Sequence, residues 1–367
     1  MTLPGKQSGV ALIVVLMIFA MVFTLAVEIV RQQEGYMTRT ENLLNRDRRY
    51  QYAMAAEKVA VQGLIDDLEG DQEEGTRVDD CQDERWAVRL PPSPYEDALL
   101  SATVQDLQGR FNLNWLVQAR ENRFIRDQRG RRALQRLLQS VLARPEQART
   151  LSFEMTDWID SNNLVDGVEG GEDAEYRQRR TPNLPVAHES ELRALRSFGL
   201  EALPDDDGSF WSYFTALPVD TTLNLNTAST AVLDAVLGPY GANAATAVEE
   251  LRSEGPITEL GALFGVAPFN DLDSEQRQVL QQRVGVQSSY FQVMIDVQLQ
   301  EQRSRLVTRI FRNPEANESE QRRASVISRQ VVPVLGPLEP ACNPHYNAPQ
   351  QTAEDNNTLE PNRDTEN

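Results

Sequence analysis

Residues 9–27 read G-V-A-L-I-V-V-L-M-I-F-A-M-V-F-T-L-A-V, with Thr24 the only conventional polar side chain. Eighteen residues follow Gly9 without a charge. At about 1.5 Å of rise each they extend roughly 27 Å as a helix, close to the about 30 Å hydrocarbon core of a bilayer. A secretory signal has a shorter apolar core, about 7–15 residues, and a small-x-small site after it. This run instead flows into Glu28-Ile29-Val30-Arg31. A buried helix of a globular domain is rarely apolar all round at the extreme N-terminus. The stretch therefore predicts a membrane-spanning helix on an otherwise polar chain.

Working outward, residues 1–9 form a short polar leader, M-T-L-P-G-K-Q-S-G, with a basic Lys6 and a terminal Gly9. A cleavable bond at that glycine would precede the hydrophobic segment. The pattern resembles the leader of type IV pilins and type II secretion pseudopilins, which a prepilin peptidase cuts after the glycine. The resemblance implies cleavage between Gly9 and Val10 and N-methylation of Val10; a glycine suits it because its backbone can be approached closely. Most members of that superfamily carry Glu at the fifth mature position, where this chain has Val14. A carboxylate buried in a helical filament must be matched by a charge. A subunit without it suits a filament end, and the missing Glu in an unusually long chain resembles the K subunits of type II secretion. The positive-inside rule gives little help: Lys6 precedes the span, whereas Arg31, Arg39, Arg46, Arg48 and Arg49 follow it. A long following domain can cross regardless of such charges.

The 367 residues suffice for two or three domains. A net charge of −19 and a pI near 4.6 argue against a nucleic-acid partner, whose phosphates would repel the chain. The two cysteines, Cys81 and Cys342, are too few for a zinc motif. In the cytosol they read as unrelated thiols, and outside the inner membrane as a single disulfide.

From Glu28 to about Leu68 no proline occurs, and Met54, Val61, Ile65 and Leu68 recur at helical spacing. Span and stripe read as one long helix, the alternative being a hinge near Gly35. After an acidic loop, Trp86–Leu90 and Leu99–Leu107 read as strands separated by P-P-S-P. Helical signals then fill Arg131–Leu142, Ser190–Phe198, Ala228–Leu237, Asn243–Ser253 and Ser274–Arg283. Period-two alternation returns over Phe291–Leu299, Arg305–Phe311 and Ala324–Val332. The expected fold is α+β: a pilin-like long N-terminal helix plus an antiparallel sheet, with a large all-α domain inserted. The expected divisions are a leader (1–9), a membrane and filament-core helix (10–27), a first pilin-like part (28–108), the helical insert (109–286), a second pilin-like part (287–337) and a disordered tail (338–367).

N-L-N occurs twice, at Asn112–Asn114 and Asn224–Asn226, each time where an asparagine can cap a following helix. The phrase around Val219–Leu233 resembles a helix-hairpin-helix opening, but Pro239 removes a donor from the Gly238–Gly241 hairpin, and acids surround it. That resemblance bears on fold and not on DNA.

Eight carboxylates lie between Glu154 and Glu175 without a base among them, interleaved with glycine and asparagine. Hard cations such as calcium take six to eight oxygen ligands from loops of this composition, although the spacing is not that of an EF-hand. The alternative is a solvated acidic loop. Candidate ligands are Asp160, Asp166, Glu172 and Asp173, with Asp157 and Glu175 in reserve. The K subunits resemble this block closely, with D-W-I-D leading into a glycine-acid loop, and the resemblance implies structural calcium. The only histidines are His188 and His345, and no nucleophile elbow, zincin motif, P-loop or dinucleotide fingerprint occurs. No enzymatic activity is expected. The resemblance implies a minor pseudopilin at the tip of a pseudopilus, anchored in the inner membrane with its bulk in the periplasm. It implies I and J subunits, the prepilin peptidase and the inner-membrane assembly platform as partners. The alternative is a membrane-anchored periplasmic calcium-binding protein or enzyme unrelated to filaments.

Overall fold

The structure, a computed structural model, describes residues 8–75, 77–79, 84–87, 90–177, 179–199, 210–316, 323–334, 336 and 338. Cys81 and Cys342, and with them the disulfide, lie outside the described residues, as do leader residues 1–7, the tail beyond Leu338 and His345.

A single helix, α1, runs from Ser8 to Glu74. It passes through Gly35 without a break, and no neighbour approaches within 4 Å of where a Cβ would stand there. Apolar side chains from Val10 to Val30 are exposed, and the apolar window is long enough to cross a membrane. Farther along, α1 turns one face inward at Ala53, Glu57, Leu64 and Leu68. This face is offset from the expected stripe, because Met54, Val61 and Ile65 stay half-buried at its margin. It also contains a charged member. Glu57 accepts from Thr308 at 2.7 Å and from Arg329 at 2.7 and 2.8 Å.

The sheet comprises β1 (Leu90–Tyr95), β2 (Ala98–Asp106), β9 (Tyr290–Leu299), β10 (Gln302–Arg312) and β11 (Ala324–Val332), in that spatial order and antiparallel throughout. The P-P-S-P segment, expected to separate two strands, is itself β1, whereas Arg85–Ala87 is a turn of 3₁₀ helix. Proline lacks a backbone donor and is tolerated at an edge, where one side of the strand needs no partner. β1 occupies that edge. Strands β2 and β9 are direct neighbours, Val104 opposite Val293, although residues 107–289 intervene in sequence.

Those intervening residues fold around a separate apolar core extending from Phe111 to Val286, while Ala53, Leu64, Trp86, Val104 and Phe291 belong to the core under the sheet. The insert contains β3 (Phe111–Asn112), the hairpin β4 (Val117–Arg120) and β5 (Arg123–Arg126), α2 (Gln128–Val141), α3 (Ala148–Ile159), β6 (Phe214–Thr215) and β7 (Leu223–Asn224). It continues with α4 (Thr230–Leu237), α5 (Ala244–Glu254), α6 (Ser274–Gln281) and β8 (Val284–Gly285). It is thus helical but not all-α. Expected helix Ser190–Phe198 is a 3₁₀ segment, Glu189–Ala194, and α3 was hidden in the acidic stretch.

The two N-L-N phrases prove equivalent in space. Each begins on the second residue of a two-residue parallel bridge, β3 with β6 and β7 with β8. In each, the first asparagine accepts from the backbone N–H of the second, Asn112 from Asn114 at 3.0 Å and Asn224 from Asn226 at 2.9 Å. The second asparagine is not a cap but a clamp on a remote segment. Asn114 accepts from Val186 N at 2.8 Å and donates to Val186 O at 3.0 Å. Asn226 accepts from Ile257 N at 2.8 Å and donates to Ile257 O at 3.0 Å.

Insert and sheet meet at a buried polar node. Asp106, at the end of β2, accepts from Gln108 N, Ser288 Oγ, Thr227 Oγ1 and Asn224 Nδ2 at 2.5–3.1 Å. Beside it Arg312 pairs with Asp79 and with Asp67. Such a node holds both crossings of the chain in one geometry, since each buried donor left unpaired costs about 1–3 kcal/mol.

Candidate cation site

The acidic block folds as the last turn of α3 followed by a loop that turns back over it. Thr156, Asp157, Trp158 and Ile159 are buried in that turn, and Asp160 closes it, its N–H donating to Thr156 O at 3.0 Å. One ligand oxygen each from Asp157, Asp160 and Glu172 lie within 4.8 Å of one another, and all three residues are buried. The loop is shaped by its own backbone: the N–H groups of Asp166 and Gly171 donate to Asp157 at 3.0 and 2.9 Å. Gly170 is required for this close approach, because a Cβ there would stand 2.1 Å from Asp157 Oδ2.

The remaining candidates divide. Asp166 lies at the rim, 3.5 Å from the Arg126 guanidinium, with its Oδ2 buried and without a hydrogen-bond partner among the described residues. Asp173 is exposed and turned to Thr181, whose N–H and Oγ1 donate to it at 2.8 and 3.0 Å. Glu175 accepts from Glu172 N at 3.0 Å in a capping arrangement. Neither is in the carboxylate trio.

The residue that sequence reasoning missed is Arg126. At the end of β5, it lies 3.0 Å from Asp157, pairs with Asp160 and donates to Leu164 O. A lone arginine in an arginine-rich stretch gave no signal, because the β4–β5 hairpin is what carries it over α3. Farther out, Arg196 and Ser197 satisfy the buried Glu154 at 2.7–3.0 Å.

The electrostatics leave negative charge in excess. Four carboxylates, Asp157, Asp160, Asp166 and Glu172, face the guanidinium of Arg126, with Arg131 acting on Asp166 from farther off. Burial, opposed by hydrogen bonds and Arg126, pushes Asp157 up to about 6. Burial likewise pushes Glu172 up to about 7 and raises Asp160. Glu172 keeps one oxygen bonded to Thr181 at 3.1 Å, while its Oε1 is buried with no hydrogen-bond partner among the described residues. An all-carboxylate donor set on a loop, with an unpaired buried oxygen, fits a hard divalent cation. A second trio, Asp67, Asp71 and Glu84, is half-buried and already engaged by Arg312 through Asp67.

The long protruding helix, the sheet and the insert between neighbouring strands define a pilin-like chain enlarged by a helical unit. Residues 109–204 match the family described as "Type II secretion system (T2SS), protein K". The type II secretion system protein K of Pseudomonas aeruginosa is 29% identical over 320 residues, covering 83% of this chain and 89% of that protein. The protein of the same name from Aeromonas hydrophila is 27% identical, covering 82% and 92%. Among solved structures, a chain of the GspK-GspI-GspJ complex of enterotoxigenic Escherichia coli superposes with a TM-score of 0.64 at 20% identity, over 80% of this chain and 99% of that one. Over most of its length this chain is similar to proteins named type II secretion system protein K, and it shares the fold of the solved chain. These relatives carry the names of secretion-system components.

Proposed function

We propose that the chain is a minor pseudopilin of a type II secretion system that caps the pseudopilus tip and helps initiate its assembly for the export of folded proteins. The observation that carries this reading is α1, whose first half presents an unpartnered apolar surface from Val10 to Val30. That surface stores the subunit in the inner membrane, with the bulk in the periplasm, and packs against neighbouring subunit helices after extraction. Val14 supports a terminal position: without a carboxylate there, the subunit has no buried charge for a neighbour's amine to neutralise. The insert supports it too, because a unit with its own core beside the sheet would crowd a repeating shaft. Proteins of the I and J type are the expected direct neighbours, and the prepilin peptidase and the inner-membrane platform act earlier.

The Asp157–Glu172 site holds calcium in this reading. Bound there, calcium ties α3 to its following loop and supplies the positive charge that Arg126 alone leaves short. Mass spectrometry of the N-terminus tests the assignment. A peptidase-dependent cut leaving methylated Val10 supports it, and a mature protein retaining Met1–Gly9 overturns it.

A further inference from the structure

Away from the acidic loop, a cleft of about 360 Å³ opens between α2, α6 and the end of α4. Its apolar lining is exposed at Pro239 and half-buried at Tyr240 and Val279, with Trp115, Phe111 and Val236 buried beneath, and it also carries Arg129, Arg132, Arg136 and Arg283. Asp127 and Glu275 are the acids that line it, so the arginines are in excess.

The arginines are placed there against local preference. In a chain of net charge −19, α2 contains four arginines and no acid, and three of them fall within its first five residues. Cations near a helix N-terminus oppose the macrodipole, and like charges three or four residues apart repel. Arg129, Arg132 and Arg136 have that spacing and line the same cleft. Helix formation does not account for them; recognition of an anion does.

Two of the four are held and two are available. Arg136 donates to Ala235 O at 2.9 and 2.6 Å, and Arg283 pairs with Asp127 at 3.2 Å while stacking over Trp115 at 4.9 Å. Arg129 and Arg132 are exposed, and their guanidinium groups make no hydrogen bond or ion pair among the described residues. Fixed and free guanidinium groups beside the accessible apolar lining of Pro239, Tyr240 and Val279 match a ligand with carboxylates and an apolar side chain. A phosphate ion alone would leave that lining uncovered, and the chain's overall charge disfavours a nucleic-acid strand.

We propose that this cleft docks an acidic peptide segment of a partner protein, one carrying an aromatic or branched apolar side chain between its carboxylates. The proposal is independent of the calcium site and of the terminal position in a filament.

The test uses the full chain in detergent micelles and a fluorescein-labelled peptide, Asp-Glu-Phe-Leu-Glu-Asp, read by anisotropy. Binding that falls with added salt is expected, and the double variant Arg129→Glu with Arg132→Glu weakens it about tenfold or more. Both side chains are exposed and acids suit a helix N-terminus, so a melting temperature no lower than the parent's verifies the fold of the variant. No binding at millimolar peptide, or equal binding by the double variant, overturns the proposal. Equal binding of the peptide with lysines in place of its acids overturns it as well. Displacement by inorganic phosphate as readily as by unlabelled peptide would mark a small-anion site and remove the peptide assignment.

Discussion

Arg126 of β5 is ion-paired with Asp160 at the end of α3, so the guanidinium of one hairpin reaches past α2 to the acidic site at the end of α3. The same group is 3.0 Å from Asp157 and 3.5 Å from Asp166. A divalent cation bound there would need these oxygens, and cation and guanidinium would therefore compete for them. The pairing explains how so acidic a loop packs, since unmatched buried carboxylates would force protonation or unfolding.

Replacing Arg126 with glutamine is expected to act in opposite directions with and without calcium. Without it, the variant loses about 3 kcal/mol of stability, because Asp157 and Asp160 are left buried and unpaired. With calcium, its affinity rises about tenfold as the competing cation is gone. Thermal melts over a calcium titration separate the two effects, and a variant that binds calcium more weakly than the parent refutes the competition.

Glu172→Gln and Gly170→Ala probe the loop from its other side. Glu172 supplies the unpaired Oε1, and its removal abolishes most calcium-dependent stabilisation while leaving calcium-free stability unchanged or higher. Gly170→Ala lowers stability in both conditions, because its Cβ would collide with Asp157 Oδ2. Melting temperatures with chelator and with excess calcium distinguish the two patterns.

The paired asparagine clamps are predicted to contribute alike. Asn114→Ala strips three hydrogen bonds from buried segments, two at Val186 and one at Leu217, and Asn226→Ala strips two at Ile257; each should cost about 2–4 kcal/mol. Having no partner in common, they should add in the double variant to within about 0.5 kcal/mol. Denaturant titration of the three variants measures both numbers, and a neutral effect at either position would end the equivalence of the two phrases.

Acid is predicted to loosen the junction between insert and sheet. Glu189 pairs with Arg309 of β10, and His188 and Glu191 lie beside the pair. Burial favours the neutral carboxyl, but the attraction of Arg309 and His188 outweighs it and holds Glu189 below its ordinary value. The unfolded chain then binds the proton more readily, so this stabilisation is present above about pH 4.5 and is lost as pH falls through that range. Burial also lowers His188, which adds stability above its ordinary range and loses it on acidification. Glu189→Gln should flatten the acid limb of a stability–pH curve, and an unchanged limb would exclude this pair as its source.

The legible part of the chain was what periodicity and uninterrupted composition express. Val10 to Val27 reads as a span because no charge breaks it, and β9, β10 and β11 read as strands because apolar and polar residues alternate along the sequence. The return of strands after Gln287 already marked residues between as an insertion. Prolines concealed β1, since their cost vanishes only at an edge, and which strand is an edge is decided by pairing. Likewise α3 was concealed, because Ser152, Glu154, Thr156 and Asp157 look solvent-facing yet are fully buried.

The sequence by itself thus determined the apolar N-terminal helix, the order of helix, strands and helical insert, and the acidic character of one loop, because these depend on residues near one another in the chain. Only the tertiary structure decided that Asp157 and Glu172, not Asp173, join Asp160. It likewise placed Arg126 among them and turned the second asparagine of each N-L-N into a clamp. Those relationships depend on where a loop returns after tens of residues. The returning path is set by packing the insert's core, and no local pattern records it.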